Sequence, residues 1–173
     1  MDIKLIIMDV DGVLTDGRII LDDNGTEYKF FDVKDGHIFH IVKEFGIKLA
    51  FLSGRYSKVT QIRAKQLEVD DCFQNQHNKL DAFKKLKNKY ELSNDEIAYI
   101  GDDVIDIPPM IMAGFSACPS DAHEEVKKVS DYISKYKGGK GAVRDIIEYI
   151  MKQQGLWDKM MEKYLLLDRY DIV

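Results

Sequence analysis

The stretch IKLIIMDVDG, residues 3–12, decides how this chain reads. Residues 3–8 are almost wholly apolar, and the run stops abruptly at Asp9-Val10-Asp11-Gly12. A short apolar run ending in acids is the pattern of a strand buried on both faces. It is too short for a membrane span or a secretion signal. In extended chain, residues two apart point to the same side, so Asp9 and Asp11 share one small space. Two carboxylates so placed repel unless a proton or a cation lies between them, and a hard dication with oxygen ligands removes the conflict. Gly12 allows a sharp backbone turn against a ligand. Taken alone, the same motif also describes a solvated acidic turn.

Working outward, two more runs share this form. Residues 48–52 (KLAFL) lead into Ser53-Gly54-Arg55, and residues 97–100 (IAYI) lead into Gly101-Asp102-Asp103, with Asp106 close behind. Helical spacing separates them: residues 37–45; 57–67, with Val59, Ile62 and Leu67 apolar; and 79–90, with Leu80, Phe83, Leu86 and Tyr90 on one face. A helix opened by Pro108 and Pro109 fits 108–112, further helices fit 121–129 and 142–153, and a strand fits 131–134. The alternation predicts an α/β, Rossmann-like three-layer sandwich around a central parallel sheet. Ligands in such folds bind beyond the carboxyl ends of the strands, where this sequence places its acids.

Residues 18–21 and 26–31 flank Asp22-Asp23-Asn24-Gly25 and predict a β-hairpin inserted after the first strand, over or beside the site. No insertion is long enough for a large cap domain. The expected organisation is one domain over 1–154, including the hairpin at 18–31, followed by a tail over 155–173. Trp157, Tyr164 and Leu165 to Leu167 make that tail more apolar than a free one, so it is expected to pack on a neighbouring subunit.

Apolar residues make up 45% of the 173 and charged residues 32%, a globular composition. The net charge of −5 argues against broad nucleic-acid binding. Cys72 and Cys118 match no zinc or redox spacing and fit a reducing compartment. The expectation is a cytoplasmic protein with no nucleic-acid or membrane partner.

Together the motifs meet the needs of phosphoryl transfer. A carboxylate serves as nucleophile. A metal ion offsets its repulsion from the phosphoryl oxygens. Ser53, the amides around Gly54 and a helix start form an anion cradle, to which Lys79 adds a charge. A second carboxylate protonates the leaving oxygen and later activates water. His37 and His40 sit three apart on a predicted helix, and no third metal ligand follows from the sequence. His77 lies beside Lys79 as a possible substrate contact.

The order of these motifs resembles the haloacid dehalogenase superfamily of phosphohydrolases. Its four motifs read here as DVDGVLTDG at 9–17, LSGR at 52–55, Lys79 in HNKL, and GDDVID at 101–106. The resemblance implies Asp9 as nucleophile and metal ligand. It makes Asp11 the general acid and base, with its carbonyl on the metal. Ser53 and Lys79 then hold the phosphoryl group, Asp102 is the third ligand of Mg2+, and Asp106 orients Lys79. FDVKDG at 31–36, Arg63 after the SGR, and YKGGKGAVRD at 136–145 further resemble the small capless subfamily, with 137–141 as a mobile flap. That likeness implies a homotetramer built on the hairpins. It gives Gly54, Arg55 and Arg63 to the substrate, a small phosphorylated sugar acid. 3-Deoxy-D-manno-octulosonate (KDO) 8-phosphate, a lipopolysaccharide precursor, is expected first, and the 9-phosphate of a sialic or deaminated sialic acid second. A phospho-accepting receiver module uses similar parts, but it places its acid pair first and its phosphorylated aspartate on a later strand.

Overall fold

The computed structural model describes the backbone of residues 1–170 and side chains through residue 165. The elements run in the order β1 (Leu5–Met8), β2 (Ile20–Leu21), β3 (Glu27–Tyr28), α1 (Val33–Glu44), β4 (Lys48–Leu52), α2 (Lys58–Gln66), β5 (Asp71–Phe73), α3 (Lys79–Lys89), β6 (Ile97–Ile100), α4 (Ile107–Met112), β7 (Phe115–Cys118), α5 (Glu124–Val129), β8 (Tyr132–Ile133), α6 (Ala142–Gln153) and α7 (Trp157–Tyr170). The main sheet is parallel throughout, in the order β5-β4-β1-β6-β7-β8.

Strand alternation makes the three layers. Ile6 and Met8 of β1, Leu49 and Phe51 of β4, and Ala98 and Ile100 of β6 point to one face, where α1, α2, α6 and α7 cover them. Leu5, Ile7, Ala50, Leu52, Ile97 and Tyr99 point to the other face, against α3, α4 and α5. In α6, Val143, Ile146, Ile147, Ile150 and Met151 are fully buried. Each such side chain contributes about 1.5–3 kcal/mol relative to exposure, so α6 is a principal cover of the sheet.

From β1 the chain winds outward through β4 to β5, then crosses back to β6 on the other side of β1. A crevice therefore opens at the carboxyl ends of β1 and β6. The register pairs Met8 with both Phe51 and Ile100. Asp9, Ser53 and Asp102 consequently emerge along one edge.

Several details differ from the sequence expectation. β5 and β7 were not anticipated. α1 begins at Val33, because Asp32 caps it by accepting from the Lys34 amide. On α2 the buried residues are Thr60 and Ala64, and Ile62 is 49% exposed. The hairpin is present, but its ladder is only Ile20–Tyr28 and Leu21–Glu27. Its loop is closed by the Asp22 carboxylate, which accepts from the amides of Asn24 and Thr26. The first turns of α7 pack on this chain's own core through Met160, with Leu156 and Trp157 beside it. Tyr164 and Leu165 face outward; the side chains of residues 166 and 167, and all of 171–173, lie outside the described residues. Among the described residues no helix is long and apolar enough to cross a membrane, and there is no cap domain.

Candidate active site

Asp9, Asp11, Ser53, Gly54, Arg55, Lys79, Asp102 and Asp103 line one cleft of about 330 Å3, with Gly17 and Ile105 at its margins. Four separate segments of the sequence supply these residues, and the sheet edge gathers them. Asp9 is 7% exposed. Its Oδ1 accepts from the Val10 amide at 2.6 Å, and its Oδ2 lies 2.8 Å from Lys79 Nζ. Gly12 has a φ of +91°, and a Cβ there would fall 2.0 Å from Asp102 Oδ2. Only glycine lets the first acidic loop pass so close to the last.

Lys79 and Asp106 form the floor. The Lys79 side chain is 1% exposed, and its Nζ lies between Asp9 and Asp106, 2.7 Å from Asp106 Oδ1. The Tyr99 hydroxyl also donates to that oxygen, at 2.8 Å. Asp106 Oδ2 accepts from the amides of Asp102 and Asp103. Burial alone would lower the Lys79 pKa, but Asp9 and Asp106 together raise it above the usual lysine value. The ammonium is thus fixed as a cation beside Asp9.

The acids are in electrostatic conflict. Burial, then the charge of Asp106, pushes Asp9 up to about 7, despite Lys79. Burial and the charges of Asp9 and Asp106 push Asp102 up to about 8. Asp102 Oδ1 is buried without a hydrogen-bond partner. Asp9, Asp102 and Asp106 each offer an oxygen, all within 4.8 Å of one another. Asp106 already accepts four hydrogen bonds, which fills a carboxylate's capacity. Asp9 and Asp102 are therefore the acids with free lone pairs. A buried orphan oxygen beside a second acid is the donor set a hard dication requires.

At the second motif, the Ser53 amide donates to Phe73 O, and its hydroxyl accepts from the Arg55 amide. Ser57 caps α2 just beyond. The Arg55 guanidinium reaches back to Glu27 Oε1 at 3.0 Å and to Asp11 Oδ2 at 3.5 Å. Lys29 Nζ pairs with Asp11 Oδ1. The sequence reading missed Glu27 and Lys29. The signal was present in TEYKFF: charged and aromatic residues alternate there, so a strand turns Glu27 and Lys29 one way and Tyr28 and Phe30 the other.

A model of the haloacid dehalogenase-like hydrolase family matches residues 52–147. The chain is 39% identical over 158 residues to the 3-deoxy-D-manno-octulosonate 8-phosphate phosphatase KdsC of Escherichia coli, covering 91% of this chain and 84% of the relative. The chain belongs to the haloacid dehalogenase-like hydrolases. Among solved structures of the family, it matches the KDO 8-phosphate phosphatase of Moraxella catarrhalis, crystallised with magnesium ion, phosphate ion and KDO. That match has a TM-score of 0.91 and 41% identity, covering 94% of this chain and 93% of the other. The cobalt-bound deoxy-D-mannose-octulosonate 8-phosphate phosphatase of Haemophilus influenzae matches with a TM-score of 0.87 and 36% identity, over 90% and 91% of the two chains.

Other expected residues fall elsewhere. Arg63 does not line the cleft. Its guanidinium stacks 5.6 Å from the Phe31 ring centroid and presses on Gly36. It borders a separate groove of about 270 Å3 with Val33, His37 and His40. The register of α2 turns it toward α1, a direction that linear spacing after the SGR does not reveal. His77 is exposed and outside the cleft. Among the described residues His37 and His40 gain no third metal ligand. The expected flap at 137–141 is packed down. Gly138 donates to Asp121 Oδ1, Gly139 donates to Val13 O, and a Cβ on Gly138 would lie 1.8 Å from Gly12 O. The paired glycines thus brace the loop that carries Asp9 and Asp11.

Proposed function

We propose that this protein hydrolyses KDO 8-phosphate to KDO and inorganic phosphate, through a phosphoryl group carried on Asp9. The observation that carries the reading is the single cleft holding Asp9, Asp11, Ser53, Lys79 and Asp102 at the β1–β6 crevice. It occurs in a chain whose relatives, at 39–41% identity over nine-tenths of its length, are named for that substrate.

Ser53, the Gly54 amide and Lys79 hold the phosphoryl oxygens, and Lys79 is kept in place by Asp106. An Asp9 oxygen attacks phosphorus while Asp11 gives its proton to the departing sugar oxygen. Asp11 then takes a proton from water as that water attacks the phosphorylated Asp9. Mg2+, held by Asp9, Asp102 and the Asp11 carbonyl, supplies screening between nucleophile and phosphoryl oxygens. Asp103 caps the following turn, accepting from the Val104 amide, and stays outside the ligand set.

We infer assembly as a homotetramer through the hairpin, a reading supported by the outward residues of the hairpin and its neighbours. Ile19, Leu21, Tyr28, Phe30 and Val33 are all exposed apolar side chains on adjoining segments, a patch of the kind subunits bury. Arg63 lies beside that patch with an unpartnered Nε. In the tetramer it meets the sugar carboxylate at a neighbour's cleft. Free Cys72 and Cys118 fit the cytoplasm.

The test is magnesium-dependent phosphate release over a panel of sugar phosphates. The eight-carbon ester is expected to give the highest kcat/KM. A clear preference for a nine-carbon 9-phosphate would replace the substrate, and no release from any ester would remove the enzyme reading.

A further inference from the structure

We propose that the hairpin residues Lys29 and Glu27 are positioning residues for the reaction: Lys29 aims the Asp11 carboxyl at the ester oxygen, and Glu27 holds Arg55 at the cleft. The inference deepens the phosphatase reading and rests on it. It starts from an inverted strand. An exposed hairpin ordinarily turns its charges to water and its aromatics inward. Here Tyr28 and Phe30 are 49% and 63% exposed, whereas the side chains of Lys29 and Glu27 are 2% and 16% exposed. A buried ammonium is costly without a partner. Among the described residues the one ion pair of Lys29 is with Asp11.

The two contacts of Asp11 are unequal. Oδ1 is held by the buried Lys29. Oδ2 is touched only at 3.5 Å by the half-exposed Arg55. Lys29 therefore fixes the carboxyl's orientation and leaves Oδ2 turned to the cleft. In the first step the proton on that oxygen passes to the bridging ester oxygen as its bond to phosphorus breaks and the Asp9 oxygen bonds phosphorus. The proton leaves with the sugar hydroxyl. Arg55 is held in turn by Glu27, whose carboxyl burial would raise; the Ser57 hydroxyl, Lys29 and Arg55 keep it below the usual glutamate range. A hairpin with two ladder pairs has little rigidity of its own, so these ties also bind it to the chemistry beneath.

A purely structural role for Lys29 would affect all substrates alike. An aiming role would not, because a sugar alkoxide needs the proton and p-nitrophenolate leaves without it. The readout is the single-turnover release of alcohol from KDO 8-phosphate and from p-nitrophenyl phosphate, so that only the first step is seen. Lys29→Met is expected to slow the sugar ester by about 100-fold, the low end of what acid catalysis supplies, and the nitrophenyl ester by less than about threefold. Lys29→Arg is expected to restore much of the difference. Glu27→Gln, which keeps its shape and tests the second tie independently, is expected to raise KM for the sugar ester several-fold with kcat nearly unchanged. Equal slowing of both esters by Lys29→Met, or no slowing of either, would overturn the aiming role while leaving the phosphatase reading intact. An unchanged KM in Glu27→Gln would overturn the Arg55 tie. A wild-type protein inactive on both esters would sink the phosphatase reading itself.

Discussion

In the cleft, Asp9, Lys79 and Asp106 are 7%, 2% and 0% exposed; Lys79 Nζ bridges the two acids, and Asp106 accepts four hydrogen bonds. On the hairpin above it, Tyr28, Phe30 and Leu21 are 49%, 63% and 61% exposed, on a ladder of two residue pairs. The first region is over-determined: strands β1 and β6, the capped start of α3 and the Asp106 turn all fix the same few atoms. The second is under-determined and takes its order from ion pairs below and, in the proposed tetramer, from apolar contact above. Bond-making groups thus stand on the sheet, where an error of about 1 Å costs on the order of 100-fold in rate. Recognition and assembly stand on an insertion that can vary without disturbing them.

The sharpest way to break that separation is Asp9→Asn. Turnover is expected to fall to background, because the amide is no nucleophile, while the circular dichroism spectrum and oligomeric state stay as in the wild type. Retained phosphate release by a normally folded variant would remove Asp9 from its role. A smaller effect is expected from the outer region. Phe30→Asp puts a charge into the exposed apolar patch, so light scattering should show smaller species. With a neighbour's Arg63 withdrawn, kcat/KM is expected to drop by roughly tenfold, about 1.4 kcal/mol, with the monomer fold intact. A fully active monomer would show that each cleft works alone.

The same contrast explains what was legible in the sequence. β1, β4 and β6 could be read because the apolar runs LIIM, LAFL and IAYI stop abruptly at polar motifs, acids after β1 and β6 and Ser53-Gly54-Arg55 after β4. α6 could be read because its apolar residues keep helical spacing over three turns. β7, Phe115-Ser116-Ala117-Cys118, was hidden: after Phe115 its residues are small, and Ser116 is buried through bonds to Asp131 and Val129 O rather than by apolarity. α2 was misoriented because Ile62 is exposed and Thr60 buried, the reverse of their hydropathies. The catalytic acids and Lys79 were readable from motif order. Glu27 and Lys29 were not, since their role depends on which face of a two-pair strand overhangs the cleft. A linear pattern places residues on a strand but not that strand over its neighbours.

The smallest expected effect concerns the cost of the cleft's crowding. Without metal, burial and mutual repulsion hold Asp102 up at about 8 and Asp9 at about 7, against an ordinary value of 3.8. Between pH 4 and 8 the folded cluster therefore keeps protons that the unfolded chain has released. By linkage, stability present at the acid end of that window is lost as pH rises through the folded values. In chelator the thermal midpoint should decline from pH 5 to 8.5. A dication replaces those protons, so the midpoint gained on adding Mg2+ should grow over the same interval, by an amount on the order of 5 °C for a chain this size. Asp35, pushed up to about 6 by burial where it caps α6 through the Arg144 and Gly141 amides, adds a slope of the same sign. Asp35 contributes with and without metal, so the magnesium-dependent difference isolates the cleft. Asp102→Asn removes one member of the conflict and should flatten the chelator curve while abolishing the gain from Mg2+. A wild-type gain that stays constant with pH would mean that the carboxylates do not compete with protons for the ion, and that the acid cluster is not its site.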